Sequence, residues 1–539
     1  MADIIGYYIP KFYNEALDDP LLFDSDSSGL LGVQNNIPPG FIGSGLMPDA
    51  QNRLATSDGI NRPRPGRDLR AMITNCTGIN GACQLTGDTQ LIAAIVSGAA
   101  TWWSLVGDVL TNITAVAPGG YITPPLFNTG NNVYMVQGLQ SIYMCWGSLL
   151  YKWDGTGFKA VPTSPAHPNF DIVTYFTNCV IGVESGTNTL DFSAYLNDAS
   201  WDTTNLSLQL DQFIADNIVG VCPYQGFNLV VFKHSSIYLV DCNPANFVTT
   251  PTPSIANFPI TVVTKIVGAA EHRTICQAGN DVIFLSESGR GVYTVGQILT
   301  NETQAIKNPI SLPVKGYINR INWQFVHNAE AVVWDDLYLL SVPLDGSSSN
   351  NFILVYNLSL GSWQGVWTNY NTSVMWLRTY DGIQSEFYFA DHAGNIYKNW
   401  YASSKVFLDT GGGNIASGIQ FYSSLTSRAY RMGETFNKIE PFSWIVEFTD
   451  SDVNVNFQLI ADTSAVGTAG FVTTNSMGIP LPFNLPVTLP STGNVKQAIS
   501  ARPCGICTEH QIEFSGIGSW SIIQLSSQAW VARPNIIQQ

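Results

Sequence analysis

Charge is scarce in this chain: Asp, Glu, Lys and Arg make up only 12% of its 539 residues, about half the usual share for a soluble domain. Hydrophobic residues reach 45% and aromatics 12%, so the chain has ample apolar material for cores. Ser, Thr, Asn and Gln must then cover the outside, a surface that suits a subunit burying much of itself against neighbours. Positive charge is scarcer still. The chain carries 24 Lys and Arg against 40 acids, a net charge of −16, which excludes a nucleic-acid binder because phosphate neutralisation needs cations. A conduit for DNA is not excluded, since an acidic or neutral wall repels the phosphate backbone and lets a duplex pass without sticking.

Catalytic signatures are also missing. There is no GxSxG, no HExxH, no phosphate-cradling GxxxxGK and no dinucleotide fingerprint, so the chain reads as a non-enzyme without a cofactor. Asp335 and Asp336 are adjacent carboxylates, but consecutive residues point to opposite faces and cannot easily share a substrate, which predicts a turn. Asp24 to Gly29 begins like a calcium loop, yet Asn35 stands where the bidentate Glu belongs, so a polar turn is expected. His167, His234, His272, His327, His392 and His510 offer no pair at ligand spacing and read as turn or core residues. Nine cysteines, an odd number, sit mostly in apolar runs and read as buried free thiols. Cys504 and Cys507 form a CxxC with His510 beyond it. Zinc usually needs a fourth ligand and often a second CxxC, and Cys76 and Cys83 have the wrong spacing, so no metal is assigned.

Long apolar runs are nearly absent too. Leu91 to Leu110 is the one membrane candidate, but Ser97, Gly98, Ser104 and Asp108 interrupt it, so a buried strand pair or core helix is expected and no membrane insertion. The first residues lack a basic segment followed by an apolar one, which predicts synthesis without export, in the cytoplasm.

What the sequence does have is short strands of Val, Ile, Leu, Tyr and Trp broken by Gly, Asn, Asp and Ser. Six β-rich stretches each close on a turn and a tyrosine expected to point outward. The marks Tyr151, Tyr195, Tyr238, Tyr293, Tyr356 and Tyr397 are spaced by 44, 43, 55, 63 and 41 residues, close to one four-stranded blade each. The expected fold is all-β: a β-propeller of about six blades, irregular in places, over residues 71–405. An extended N-terminal arm rich in Pro, Gly, Asn and Asp precedes it over 1–70. After the glycine-rich Asp409 to Gly418, alternating strands predict a β-sandwich-like domain over 406–539. Arg53, Arg62, Arg64, Arg67 and Arg70 cluster in the expected arm. They read either as a solvated arm or as an interface patch for an acidic partner surface or a phosphate.

The strand phrases say more in order than singly. They run NCVIGVESGTNTLDFSAYLNDASWD (Asn178 to Asp202), GFNLVVFKHSSIYLVD (Gly226 to Asp241), AAEHRTICQAGNDVIFLSESGRGVYTV (Ala269 to Val295), AVVWDDLYLLSVPL (Ala331 to Leu344), FILVYNLSLGSWQGVW (Phe352 to Trp367) and FYFADHAGNIY (Phe387 to Tyr397). Within them Trp363 and Trp367 are expected to pack between blades as core aromatics. This succession resembles the nozzle, or stabilisation, proteins of short-tailed bacteriophages, the tail tubular protein B type, over roughly residues 130–400. The resemblance implies a structural virion protein without catalytic residues, a homohexameric ring assembled in the host cytoplasm at the distal end of the tail. It implies an adaptor ring docked to the portal as one partner, tail fibres or spikes as others, and viral DNA passing through the lumen without specific binding. On that reading the arginine-bearing arm contacts a neighbouring subunit or the adaptor, and the loop from Asp345 to Asn351 lines the lumen or faces fibres.

Two other classes fit a propeller. A glycan-binding or glycan-cleaving propeller would use some of the 14 Trp and 22 Tyr to stack on sugars and would need a pair of carboxylates near the axis. A kelch or WD scaffold would need a regular repeat, but the WD dipeptides at Trp153, Trp201 and Trp334 keep no period.

Overall fold

The computed structural model describes residues 22–26, 30–161, 167–202, 204–211, 216–244, 258–380, 384–400, 407–411, 418–431, 439–449, 454–462, 464–473, 495–500, 504 and 507–531. The chain divides into two compact units, residues 64–421 and residues 1–63 with 422–539.

The larger unit is a β-propeller. Among the described residues seven antiparallel sheets follow one another along it, spanning 76–112, 134–160, 170–209, 218–264, 276–294, 330–368 and 372–399. In blade 1 the strands Cys76–Gln84, Thr89–Val96, Ala99–Val106 and Val109–Asn112 pair in simple succession. The first strand of each blade packs on the first strand of the next, and that of blade 7 returns to that of blade 1. That cyclic order closes the ring. Chain order alone supplies only three strands to blade 7; its fourth is Arg67–Met72, brought in from before blade 1 and paired antiparallel with Asn395–Asn399. The propeller is thus locked by joining its two ends, which leaves no open seam edge there. Blade 5 has three strands among the described residues and continues into short helices over 295–328.

Blades hold together through apolar layers between them, and alternate residues of one strand enter different layers. Leu91, Ala93 and Ile95 join the layer toward blade 2 with Trp102, Ile142, Met144 and Phe158. Ile92 and Ala94 join the layer toward blade 7 with Trp376 and Ile396. With both faces buried, such a strand reads as a continuous apolar run. Leu91 to Leu110 is accordingly a strand pair, turned at Ser97 and Gly98 with φ of 51° and 80°, a mirror-image hairpin turn matched to the strand twist. Among the described residues no helix is long and apolar enough to cross a membrane.

The count of six tyrosine marks falls one short of the seven sheets. Five marks lie on the third strand of blades 2, 4, 5, 6 and 7, and Tyr195 directly follows the third strand of blade 3. Blade 1 carries Trp102 and Trp103 on its third strand instead, so a tyrosine mark passes over it. Nor do the tyrosines all point outward: Tyr238 and Tyr293 are buried between blades, because the third strand contributes to the interblade layers as much as to the rim. Trp363 and Trp367 are buried as expected.

Among the described residues the smaller unit has two large sheets and a two-stranded parallel one that pairs Gly32–Val33 with Leu46–Met47. One orders Val495–Ser500, Ile439–Thr449, Ser521–Val531, Asn61–Pro63 and Arg53–Ala55; the other orders Asp49–Gln51, Tyr422–Thr426, His510–Ile517, Asn454–Ala461 and Ser464–Thr473. Their faces meet in a core of Trp444, Phe448, Ile512, Phe514 and Leu525, with Phe448 and Phe514 edge to face at 5.9 Å. This is the expected sandwich, but it recruits strands that the sequence assigns to an arm. Residues 1–21 and 27–29 lie outside the described residues. From 30 to 63 the segment is short strands and buried residues such as Leu30, Ala50 and Leu54. Strands of two or three residues broken by Pro and Gly show no periodicity in sequence, so their pairing is visible only in three dimensions. Asp24 lies in the strand Leu22–Asp26, paired with Ser521–Val531 and ion-paired to Arg428, instead of in a polar turn. Of the glycine-rich stretch, Asp409 to Gly411 belong to a strand running parallel to Arg67–Met72, and 412–417 lie outside the described residues.

Candidate functional site

The five arginines do not form an exposed patch. Arg53 is wholly buried, donating to Asn61 and to the Trp520 carbonyl and stacked 4.0 Å over the Trp520 ring. Arg62 is half-buried in the same unit as Arg53, with Asp58 as the charge it influences. Arg64, Arg67 and Arg70 belong to the propeller unit. Arg64 is wholly buried and clamps Asp409 with both terminal nitrogens at 3.2 Å; Arg67 Nε reaches the same carboxylate at 3.3 Å and its guanidinium lies 4.5 Å over Tyr397. Arg70 is bracketed by Asp68 at 2.9 Å and Asp108 at 3.1 Å. Each of these three cations is neutralised where the two ends of the propeller meet. They are a latch; Arg53 and Arg64, wholly buried and paired, are not available to a phosphate or an acidic partner.

Asp335 and Asp336 form the expected turn between two strands of blade 6, Asp335 with φ of 51° and Asp336 accepting from Ser359 at 2.7 Å. Within the loop from Asp345 to Asn351, Asp345 takes a bidentate ion pair from Arg320, and Asn351 Oδ1 accepts the Leu344 N–H at 2.8 Å. His510 is buried between Tyr430 and Trp444 with Nε2 2.5 Å from Ser527 Oγ, and burial pushes its pKa down to about 3. Burial pushes the Cys504 thiol up to about 11 and the Cys507 thiol up to about 12. Among the described residues no group of three or more His, Cys, Asp or Glu side chains is placed to hold a metal. All nine cysteines are free thiols.

The concentration of polar chemistry that sequence reading missed lies on the propeller axis. The segment leading into blade 5 carries Glu271, His272 and Arg273 in consecutive positions. Glu271 accepts from the Tyr134 hydroxyl of blade 2 and from the His272 N–H at 3.1 Å. Arg273 donates to the carbonyls of Asn80 in blade 1 and Val133 before blade 2. Tyr338 of blade 6 donates to the Thr274 carbonyl at 3.3 Å. A side chain from the threshold of blade 5 that reaches blades 1 and 2 must cross the axis, so this segment spans the channel. Three adjacent polar residues carry no periodic signal, which is why only the fold reveals them.

Burial pushes the Glu271 carboxyl up, opposed by Tyr134 and Arg273, and pushes His272 down to about 4. Glu330, on the first strand of blade 6, is buried and accepts the Met375 N–H at 2.9 Å; burial outweighs Arg273 and that hydrogen bond and lifts it to about 7. A carboxyl whose folded pKa exceeds its unfolded value of 4.5 binds its proton more tightly when folded, so stability falls as pH rises from there through 7. Glu330→Gln keeps an acceptor for Met375 and removes the buried charge. It should raise unfolding free energy by about 2–3 kcal/mol at pH 8 and by less than about 1 kcal/mol at pH 5. Urea titrations at the two pH values measure the difference.

Beside the plug, one face of the propeller holds an open recess of about 390 Å³. Asn131, Asn132, Tyr134, Trp146, Asp171 and Glu271 are among its lining residues. Amides, carboxylates and aromatic faces are the groups that meet a polar, ring-shaped ligand such as a sugar. Its carboxylates already have partners: Asp171 accepts from Ser185 at 2.8 Å and from Gly186 N–H at 3.0 Å, and Glu271 is engaged as above. That occupancy suits binding better than general acid and base work.

No family model matches the chain, and no curated protein matches it. Solved structures similar to it include BamB from Moraxella catarrhalis, 8% identical over 65% of this chain and 94% of that one, with a TM-score of 0.36. They also include BBS1N in complex with ARL6DN, 11% identical over 64% and 98%, TM-score 0.39, and the AfRom2 CNH domain, 8% identical over 62% and 99%, TM-score 0.34. The propeller assignment rests on the sheet order and ring closure described above, not on these likenesses.

Proposed function

We propose that this chain is a structural virion protein, the ring-forming tail nozzle of a short-tailed bacteriophage. The observation that carries the reading is the order of the strand phrases: they fall in succession on blades 3 to 7, each spanning consecutive paired strands of its blade. Two physical features support it. The weak, acidic charge suits a wall that DNA slides past. The segment spanning the propeller axis leaves any conduit to lie between copies, so the lumen is a property of a ring. In this reading the ring holds the genome back until a gate below opens, docks under an adaptor ring and carries fibres or spikes, with no catalytic step.

The test is the mass of the purified chain in solution with negative-stain images, with and without a candidate adaptor ring. Rings of about six copies around a hole wide enough for a duplex are expected. A chain that stays monomeric with the adaptor present overturns the reading. The recess at Asn131, Tyr134, Trp146 and Asp171 favours a second reading, a glycan-binding propeller, which saturable binding on a glycan array by a monomeric chain would support.

A further inference from the structure

Two carboxylates, and neither Lys nor Arg, are among the residues that line the recess beside the axial segment. Asp171 enters it from the first strand of blade 3 (Phe170–Phe176) and Glu271 from the threshold of blade 5. Asn131 and Asn132 come from the loop before blade 2, and His234 from a turn of blade 4. The cations next to these positions are already met. Lys233 is wholly buried, its Nζ donating to the Leu210 carbonyl at 3.1 Å and its charge facing Asp211 and Asp216. Arg273 donates to the Asn80 and Val133 carbonyls, and its charge is shared by Glu271 and Glu330. Among the described residues, an anion entering the recess would find two carboxylates and no lining Lys or Arg.

The walls are also rich in acceptors. A carboxylate oxygen can accept two hydrogen bonds. Among the described residues, Asp171 uses one position on each oxygen, for Ser185 and Gly186, and both Glu271 bonds fall on Oε1. Asn131 spends an amide donor on the Trp146 carbonyl at 3.1 Å. Acceptor positions are thus left over on groups from two separate blades, and a ligand that satisfies them brings several donors set around a frame rather than one concentrated charge. The volume of about 390 Å³ is that of a small-ligand site.

We propose that this recess binds a neutral saccharide through its hydroxyl donors and rejects acidic sugars. A hydroxyl supplies the proton that a carboxylate lone pair accepts, in a charge-assisted hydrogen bond. A uronate or sialate carboxyl instead brings a like charge to the two carboxylates and must shed its own water to enter. Two like charges about 6 Å away weaken the binding of an anion roughly tenfold even at the dielectric constant of water. The inference deepens the glycan-binding reading of this recess and rests on it.

The experiment applies the full chain, at pH 8 and low ionic strength, to a glycan array carrying matched oligosaccharides that end in a hexose or in the corresponding hexuronate, followed by calorimetry on the best pair. Wild type should favour the hexose member by at least about tenfold. Asp171→Asn/Glu271→Gln removes both charges while keeping an acceptor at each place, and should bring that ratio below about threefold. Asp335→Asn/Asp336→Asn makes the same change of net charge at the turn of blade 6, outside the recess, and should keep the wild-type ratio. Far-UV circular dichroism with a thermal melt checks the fold of both variants; if the recess variant does not fold, the wild-type ratio and the blade 6 variant still decide. A wild type that binds hexuronates as well as hexoses overturns the inference and leaves the glycan reading standing. So does a recess variant that keeps the wild-type ratio, or a blade 6 variant that loses it. Binding of no saccharide, or of tetralysine in place of any saccharide, overturns both.

Discussion

Replacing Asp409 by Ala should lower the unfolding free energy of the propeller by about 3–5 kcal/mol, because it strands a buried cation. Asp409 is the shared acceptor of Arg64, which is 0% exposed at its side chain, of Arg67 Nε, and of the Arg67 backbone N–H at 3.2 Å. Arg64 also lies 3.8 Å over the Phe421 ring and 4.8 Å over Tyr370, so aromatic rings shield it from water on those sides. The lesion sits where the strand Arg67–Met72 completes blade 7, and a loosened latch frees the two ends of the ring together. Asp345→Ala provides the contrast. Its partner Arg320 and Asp345 itself are 44% and 48% exposed, and exposed pairs are worth at most about 1 kcal/mol. Urea denaturation of the three proteins decides the matter. Equal, small losses would show the latch to be ornamental, and partial recovery in an Arg64→Met/Asp409→Leu double variant would confirm that the stranded charge is the cause.

The second large effect is expected for Trp102→Ala, at about 3–5 kcal/mol. Trp102 is fully buried in the layer between blades 1 and 2, within 5.0 Å of Phe158 and 6.1 Å of Trp146 between ring centres. Truncation opens a cavity that the surrounding sheets cannot close, and it leaves the Pro125 carbonyl without its donor. Trp102→Phe fills much of the space but cannot donate, and should lose roughly half as much. The midpoint in urea should fall with the m-value unchanged. A drop below about 1 kcal/mol for the alanine variant would mean that the layer repacks. Because Pro125 anchors the loop bearing Leu126, exchange in 113–127 should also speed up in both variants.

Much of the fold was legible in local pattern. Turn chemistry at Asp335 and Asp336, the apolar pair within Leu91 to Leu110, and the buried Trp363 and Trp367 follow from the period of strands and from residues that break it. The tyrosine spacing reports blades because the third strand recurs at a fixed place in each unit, and it misses blade 1 because tryptophan occupies that place there. Little of the site was legible. Arg64 and Asp409 are 345 positions apart, as are other partners of the latch by similar distances, and Glu271, His272 and Arg273 look in sequence like any polar loop.

Composition and periodicity are summed over neighbours in the chain, so they determined what this protein is made of: antiparallel strands, apolar layers, free thiols and a weakly charged exterior. Tertiary structure decided the rest. Folding in three dimensions turned five apparent surface arginines into buried or half-buried groups and drew an expected arm into the strands of a sandwich and of blade 7, and ring closure drove a charged segment across the propeller axis. Those outcomes depend on which distant residues share a low-dielectric space, and burial strengthens or penalises a charge only once the tertiary structure has chosen its partner.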